Sequence, residues 1–595
     1  MNRSYVAALI AACCVSVVSH SGPGYAQDGW RPFADRDAER ARARDRQPWG
    51  SPAPQWQGFG SGEQPSPPSL VPAPVTRSEL APAMSNDGSG LPFDIWTGLD
   101  LTTTEQLMAQ LDLPPLSPTL HGLWKRLMTS ESGAPAGANQ AAFAAIRAEA
   151  LYRSGLFQPL AEVLARIPGA GSTPIFEALE ARRALATGQS DQGCHGVKST
   201  AARKDELPPA LRGEILALAG YCAAAAGNAS AASLAAELAR EEGLDDPVML
   251  AALDAVSAGR AVRLPRNGRV GPSQYRVIAL SKQADMTDVL GRANAALLAA
   301  LVADPATDDR LRLTAAEAAA RLDVITPAAL AGVWQSQRFS PSDLADPLSA
   351  RVEAGQRRAL LFQVAEAERN GARRAHIVRA LLDDARRDGL YLATLSLAGA
   401  LIGPPGRSAD GAAFGEIAIE AALASGDYQL AHSWVGALNA YGNGGPLHHW
   451  LALSDIADPN PNAPRGASLP AVEDLARQGR FSGPVLHRLA TVLDALDYQV
   501  PMGLWQLSSS TPQPNDGHLP ETGALAQLKD ASDQKQFART ILLTMHALGP
   551  KGAQGAHIIA LGDSIRALRR VGLEAEARRL GFEALFAVWP RSASH

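Results

Sequence analysis

Leu211 to Glu241 reads LRGEILALAGYCAAAAGNASAASLAAELARE, two alanine-rich stretches of helical period divided by Gly227-Asn228. Alanine has the highest helix propensity, and glycine followed by asparagine ends one helix and caps the next. The unit therefore reads as helix–turn–helix. The same arrangement recurs around Gly155, Gly188 and Gly259, at intervals of 33, 39 and 32 residues, and again at Gly426 and Gly572. Intervals of this size mark helical arrays in which each unit buries its apolar face against its neighbours.

Composition agrees with that reading. Hydrophobic residues make up 46% of the 595, yet aromatics only 5%, so alanine carries much of the apolar total. Alanine lets helices approach closely and favours many thin interfaces over one thick core. Strand-type alternation is scarce, and the fold class expected is all-α, an α–α superhelix behind a disordered amino-terminal segment. The formal charge of −5 shows no global bias toward nucleic acid or anionic lipid.

The amino terminus reads as an export signal over residues 1–26. Arg3 supplies the positive region, Val6 to Val18 the apolar one, and Gly24-Tyr25-Ala26 the small-residue cleavage site. A rival reading is a lipoprotein anchored to a membrane, because Ile10-Ala11-Ala12-Cys13 resembles a lipobox; membrane attachment is expected only if Cys13 is lipidated. The expected location is periplasmic, and no later segment reaches about 18 uninterrupted apolar residues. Residues 27–92 read as a disordered Pro/Gly/Ser/Arg-rich tether: six arginines with interspersed acids from Arg31 to Arg46, then runs such as Pro65-Ser66-Pro67-Pro68.

Three helical regions are expected, at 93–260, 261–405 and 406–595. In the first, Ala141–Tyr152 pairs with Leu160–Ile167, Ile175–Ala186 with Cys194–Ala202, and Leu211–Ala225 with Ala231–Glu241. The middle is less regular, because Pro265, Asn267-Gly268 and Gly271-Pro272 break the pattern before Arg310–Leu322 and Arg357–Arg387 resume it. In the last, Phe414–Leu438 forms another pair. The repeat turns are assigned to Gly155, Gly188, Gly227, Gly426 and Gly572.

Gly426-Asp427-Tyr428, followed by Ala431 and Trp434, resembles half of a tetratricopeptide repeat. A small residue recurs five places after the glycine at Gly193, Ala232, Ala431 and Ala577, and Leu160 breaks the rule after Gly155. The chain thus resembles a degenerate tetratricopeptide-like protein, and its layout is similar to an uncharacterised family of exported bacterial α-solenoid proteins. The resemblance implies a scaffold that binds other proteins and brings no activity.

Cys194 falls six residues after one turn glycine and Cys222 five before the next. In a stacked array the start of a second helix lies beside the end of the following first helix, so these two cysteines are expected to pair in an oxidising compartment.

Other chemistry is suggested and then denied. Gly562-Asp563-Ser564 resembles the nucleophile block of GDSL-type esterases, but only 31 residues follow Ser564 and none forms the family's Asp-x-x-His pair. The segment reads instead as a helix of the terminal unit, with Ser564 exposed or capping. His448-His449 reads as a helix start with partly exposed imidazoles, since adjacent histidines face different ways and chelate poorly. Arg373, Arg374, Arg386 and Arg387 stand among acids and read as a salt-bridged surface. No catalytic, metal or cofactor site is assigned and no nucleic acid is expected. The function expected is non-catalytic binding of an unidentified envelope protein; the alternatives are a cell-wall enzyme with an unrecognised site and a lipid-tethered structural component.

Overall fold

Helix ends, not helix interiors, set this architecture. At Gly227 the backbone turns left-handed (φ 80°), Gly227 N–H donates to Ala224 O, and Asn228 N–H reaches back to Ala223 O at 2.9 Å. This pair of bonds satisfies two carbonyls left over at a helix end and reverses the chain. The same geometry closes helices at Gly155, Gly188, Gly259, Gly426 and Gly572, with φ from 63° to 90°. Every glycine assigned to a repeat turn is therefore left-handed.

The computed structural model describes residues 90–281, 283–405, 410–440, 447–463 and 465–591, with the backbone alone for 410–413. The expected 1–26 signal, Cys13 and most of the 27–92 segment lie outside the described residues. Leu91 is fully buried, so the folded core already includes the end of that segment. Among the described residues every regular element is helical, with isolated bridges at Asp100/Ala136, Val270/Ala293 and His518/Ala556.

The first region holds the expected pairs within a few residues: Gln140–Arg153 with Phe157–Arg166, Pro174–Ala186 with Ser190–Ala201, and Pro209–Ala225 with Ala229–Glu241. Small residues fix their approach. A methyl group on Gly193 would meet Leu185 Cγ at 2.5 Å, and one on Gly196 would meet Ala181 Cβ at 2.9 Å, an antiparallel register. Ala232, Ala431 and Ala577, each five places after its turn glycine, are fully buried, as is the exception Leu160.

In the middle the expected break is present, for no regular element lies between Ser257 and Pro272. Helices Pro272–Ala279, Ala295–Ala303, Asp309–Arg321 and Pro327–Ser336 follow it. Arg357–Arg387 is two helices, Ala354–Ala367 and Gly371–Arg387, because Asn370 accepts from Arg373 N–H and starts a new one. Turns of the same form recur at Asp323, Asp497 and Lys535, where a non-glycine residue takes φ 55–60°. Those units carry no glycine signal, and a glycine search passes over them.

Contacts also run far beyond sequence neighbours. The Glu583 carboxylate, buried in helix Glu574–Phe586, accepts from Ser117 Oγ (2.5 Å), Thr119 Oγ1 (2.6 Å) and Thr119 N–H (2.8 Å) at the start of helix Pro118–Thr129. A helix N-terminus favours such a carboxylate. Arg126 pairs with Glu576 between the same two helices, and Ala538 N–H donates to Ile95 O at 3.0 Å. The earliest described residues are thereby fastened to the last helices. Gly188 abuts the buried Asp304, which pairs with Arg276 at 2.6 Å, so the first and middle regions are joined as well.

Two glycine substitutions separate turn strain from packing. Gly227→Ala meets open space and is expected to cost only the left-handed strain, about 1 kcal/mol. Gly188→Ala drives a methyl group into the Arg276–Asp304 pair and is expected to cost about 3 kcal/mol or more. Urea unfolding of both variants measures the difference.

Candidate functional site

A groove of about 400 Å³ is walled by helices Phe157–Arg166, Pro174–Ala186 and Ser190–Ala201. Ala161, Leu164, Ala165, Phe176, Ala181 and Gly196 give it an apolar lining. The close approach at Gly196 and Ala181 keeps the floor low, because larger side chains there would separate the helices. Glu177, Glu180, Gln192 and His195 are the polar residues of the lining. Both carboxylates are already engaged: Glu177 with Arg203, and Glu180 with Arg183 at 2.7 Å and Gln192 at 3.3 Å. What remains is an uncharged slot with an exposed imidazole and amide at its edge. Such a slot suits apolar side chains of a peptide better than a charged ligand.

A disulfide stands beside it. Cys194 and Cys222 are bonded, with Cα atoms 5.7 Å apart, and tie helix Ser190–Ala201 to helix Pro209–Ala225. The helix so held supplies Gln192, His195 and Gly196 to the groove, so the cross-link fixes one wall. The expected pairing is present, between two helices that follow one another in the chain.

Buried charge lies on one of the helices that wall the groove, with little sign of it in the residue pattern. Arg182, on the helix that carries Phe176 and Ala181, is 5% exposed. It pairs with Glu149 and with Glu214 (2.9 Å) and stacks 4.2 Å from the Tyr152 ring centroid. Burial pushes the Tyr152 phenol up to about 12, and its hydroxyl lies 3.3 Å from Ser273 Oγ. Arg358, 2% exposed, is similarly held by Glu317, Asp384 and Asp388, and Trp334 Nε1 donates to Glu317 at 3.3 Å. An arginine inside an apolar helical stretch was the only available sign of either network.

Two aspartates are shifted further. Asp323, in its left-handed turn, is pushed up to about 7 by burial and then by the nearby Glu583 carboxylate. Asp455, 3% exposed, is pushed up to about 6 by burial, which outweighs hydrogen bonds from Ser468. Raised carboxyl groups are a mark of general acids. Glu583, itself raised by burial, already accepts three hydrogen bonds from Ser117 and Thr119, and its position is that of a fastening between helices.

The remaining sequence candidates fall into structural roles. Ser564 lies inside helix Ile558–Arg570 and is fully buried, neither exposed nor capping; the surrounding helix is the expected one. His449 is not partly exposed but 4% exposed, with Nε2 2.7 Å from Pro590 O and its ring stacked on Trp589. His448 Nε2 lies 2.8 Å from Asn439 Nδ2. Arg373, Arg386 and Arg387 pair with Glu368, Asp383 and Asp384, while Arg374 donates to the Glu368 and Leu401 carbonyls.

No known family model, curated protein or solved structure matches this chain.

Two measurements test this region and its supports. The disulfide closes a separation of 28 residues, and Cys194→Ser/Cys222→Ser is expected to cost about 3.5 kcal/mol on loop entropy, read as a lower unfolding midpoint. Asp323 is neutral more readily when folded, so its favourable contribution is complete below pH ~4 and lost as pH rises through about 7. Asp323→Asn, which also tolerates a left-handed turn, is expected to raise stability at pH 8 by on the order of 2 kcal/mol. The same substitution should shrink the gain that wild type shows between pH 8 and pH 5.

Proposed function

We propose that this chain is a non-catalytic, exported scaffold of the tetratricopeptide-like superhelical kind that binds other proteins in the bacterial cell envelope. The observation that carries the reading is the apolar groove of about 400 Å³, whose carboxylates are neutralised internally and whose wall is held by a disulfide. A surface so prepared loses little side-chain entropy when a peptide docks, and its affinity comes from apolar burial. The disulfide is compatible with export, since such bonds persist in oxidising compartments. Among the described residues no helix is long and apolar enough to cross a membrane. Lipidation of Cys13 is the alternative in which the scaffold is tethered to one.

Site-specific photo-crosslinking in intact cells tests the proposal. A crosslinking residue at Gln192, on the exposed edge of the groove, is expected to capture a defined protein. Filling the slot with Ala165→Trp should reduce that product by about tenfold, the effect of losing one well-packed apolar contact. Capture undiminished by the tryptophan would sink the groove as the binding face. Reproducible release of fragments from purified peptidoglycan would overturn the non-catalytic reading in favour of the enzyme alternative. Mass spectrometry of the mature amino terminus decides between a soluble form and a lipid-tethered one.

A further inference from the structure

Between helices Pro247–Ser257 and Pro272–Ala279 the chain runs from Ala258 to Gly271 without regular structure. Arg260, Arg263, Arg266 and Arg269 stand on it at every third position, and all four are exposed. The residues between them turn the other way: Val262 and Leu264 pack against the core, and Val270 is fully buried. The burial pattern thus puts the four guanidinium groups on the solvent side of one strap.

None of the four forms an ion pair with a described residue, in contrast to the buried Arg182 and Arg358, which are matched to carboxylates. The sequence offers them none nearby, for no aspartate or glutamate occurs from Ala255 to Ala284. In a chain of net charge −5 this is a local concentration of positive charge that the fold itself does not use.

The strap is also held firmly. Gly259 turns left-handed (φ 63°), and Arg260 N–H donates to Ala255 O at 2.8 Å. The Arg292 guanidinium donates to Pro265 O and to Arg266 O at its middle. Gly268 lies against Val248 with no room for a methyl group. Val270 exchanges hydrogen bonds with Arg292 and Asn294, both 2.9 Å. A flexible basic loop would have to be ordered on binding; this one is already in place.

We propose that residues 258–271 form a docking surface for an acidic segment of a partner protein. The strap turns at Arg266-Asn267, where Gly268 N–H donates to Pro265 O at 3.2 Å, and it carries its four exposed arginines on one short stretch of surface. Carboxylates of an acidic segment match them, since arginine binds carboxylate through two parallel hydrogen bonds. The strap exposes no large apolar or aromatic side chain to insert into lipid or stack on a base, which favours an acidic protein segment over a membrane or a nucleic acid. This surface is separate from the groove and does not depend on what the groove binds.

The test uses the full chain and a fluorescein-labelled peptide with glutamate at every third residue among glycines and serines. Fluorescence anisotropy at low salt is expected to show saturable binding that weakens steeply as salt is added. Arg260→Gln/Arg263→Gln/Arg266→Gln/Arg269→Gln should weaken it about tenfold or more, with the unfolding midpoint unchanged because the four side chains support no described contact. A control of equal charge change, Arg310→Gln/Arg312→Gln/Arg373→Gln/Arg477→Gln, should retain most of the binding. Absence of saturation, or equal loss in the two variants, overturns the proposal. Tighter binding of a DNA duplex or of phosphatidylglycerol vesicles than of the peptide, through the same arginines, overturns the assignment of an acidic protein segment.

Discussion

A single left-handed residue at the end of a helix is the constraint on which this structure rests. With it, the next N–H reaches the carbonyl five residues back and the chain reverses at once. Gly155, Gly188, Gly227, Gly426 and Gly572 meet this demand without a side-chain penalty. Asp323, Asp497 and Lys535 meet it with one. At Asp323 the turn also carries a half-buried carboxyl that is driven toward neutrality beside Glu583, so a backbone requirement and a shifted acid occupy the same position.

Reversal at short intervals leaves each pair with a thin interface of alanine and glycine, and thin interfaces bury little area per helix. The structure compensates in places where pairs meet distant parts of the chain. Arg182 joins the helices of Glu149 and Glu214, Arg276 joins Asp304 to the Ala186 carbonyl, and Glu583 receives Ser117 and Thr119. Each is a buried charge satisfied by partners from separate elements. Removing one partner strands the other in a dry environment, so these contacts specify which helices meet. The disulfide plays a similar part next to the groove, by holding one helix of a pair to the following pair.

Local signals were legible where the chemistry is local. Gly227-Asn228 announced its turn because only certain residues tolerate that backbone, and the small residues at Gly193, Ala232, Ala431 and Ala577 announced close helix contact. The cysteine pairing followed from those turns. The helix break at Asn370 was missed because the apolar period continues on either side of it. Ser564 and His449 were misplaced as surface residues, since helical period alone does not say which faces a further layer will cover; Ser564 lies within the core, and Trp589 covers His449.

The helical character of the described residues, the glycine-marked reversals and the pairing of the two cysteines are written in the residues themselves, because each follows from propensity and spacing within some thirty residues. That Ser117 and Thr119 meet Glu583, that Arg182 is buried, and that Ala161, Phe176 and Gly196 line one groove is a property of the packed fold. Those outcomes depend on how successive pairs are packed against one another. Small differences in interhelical contact accumulate over many units, and no local pattern of residues records their sum.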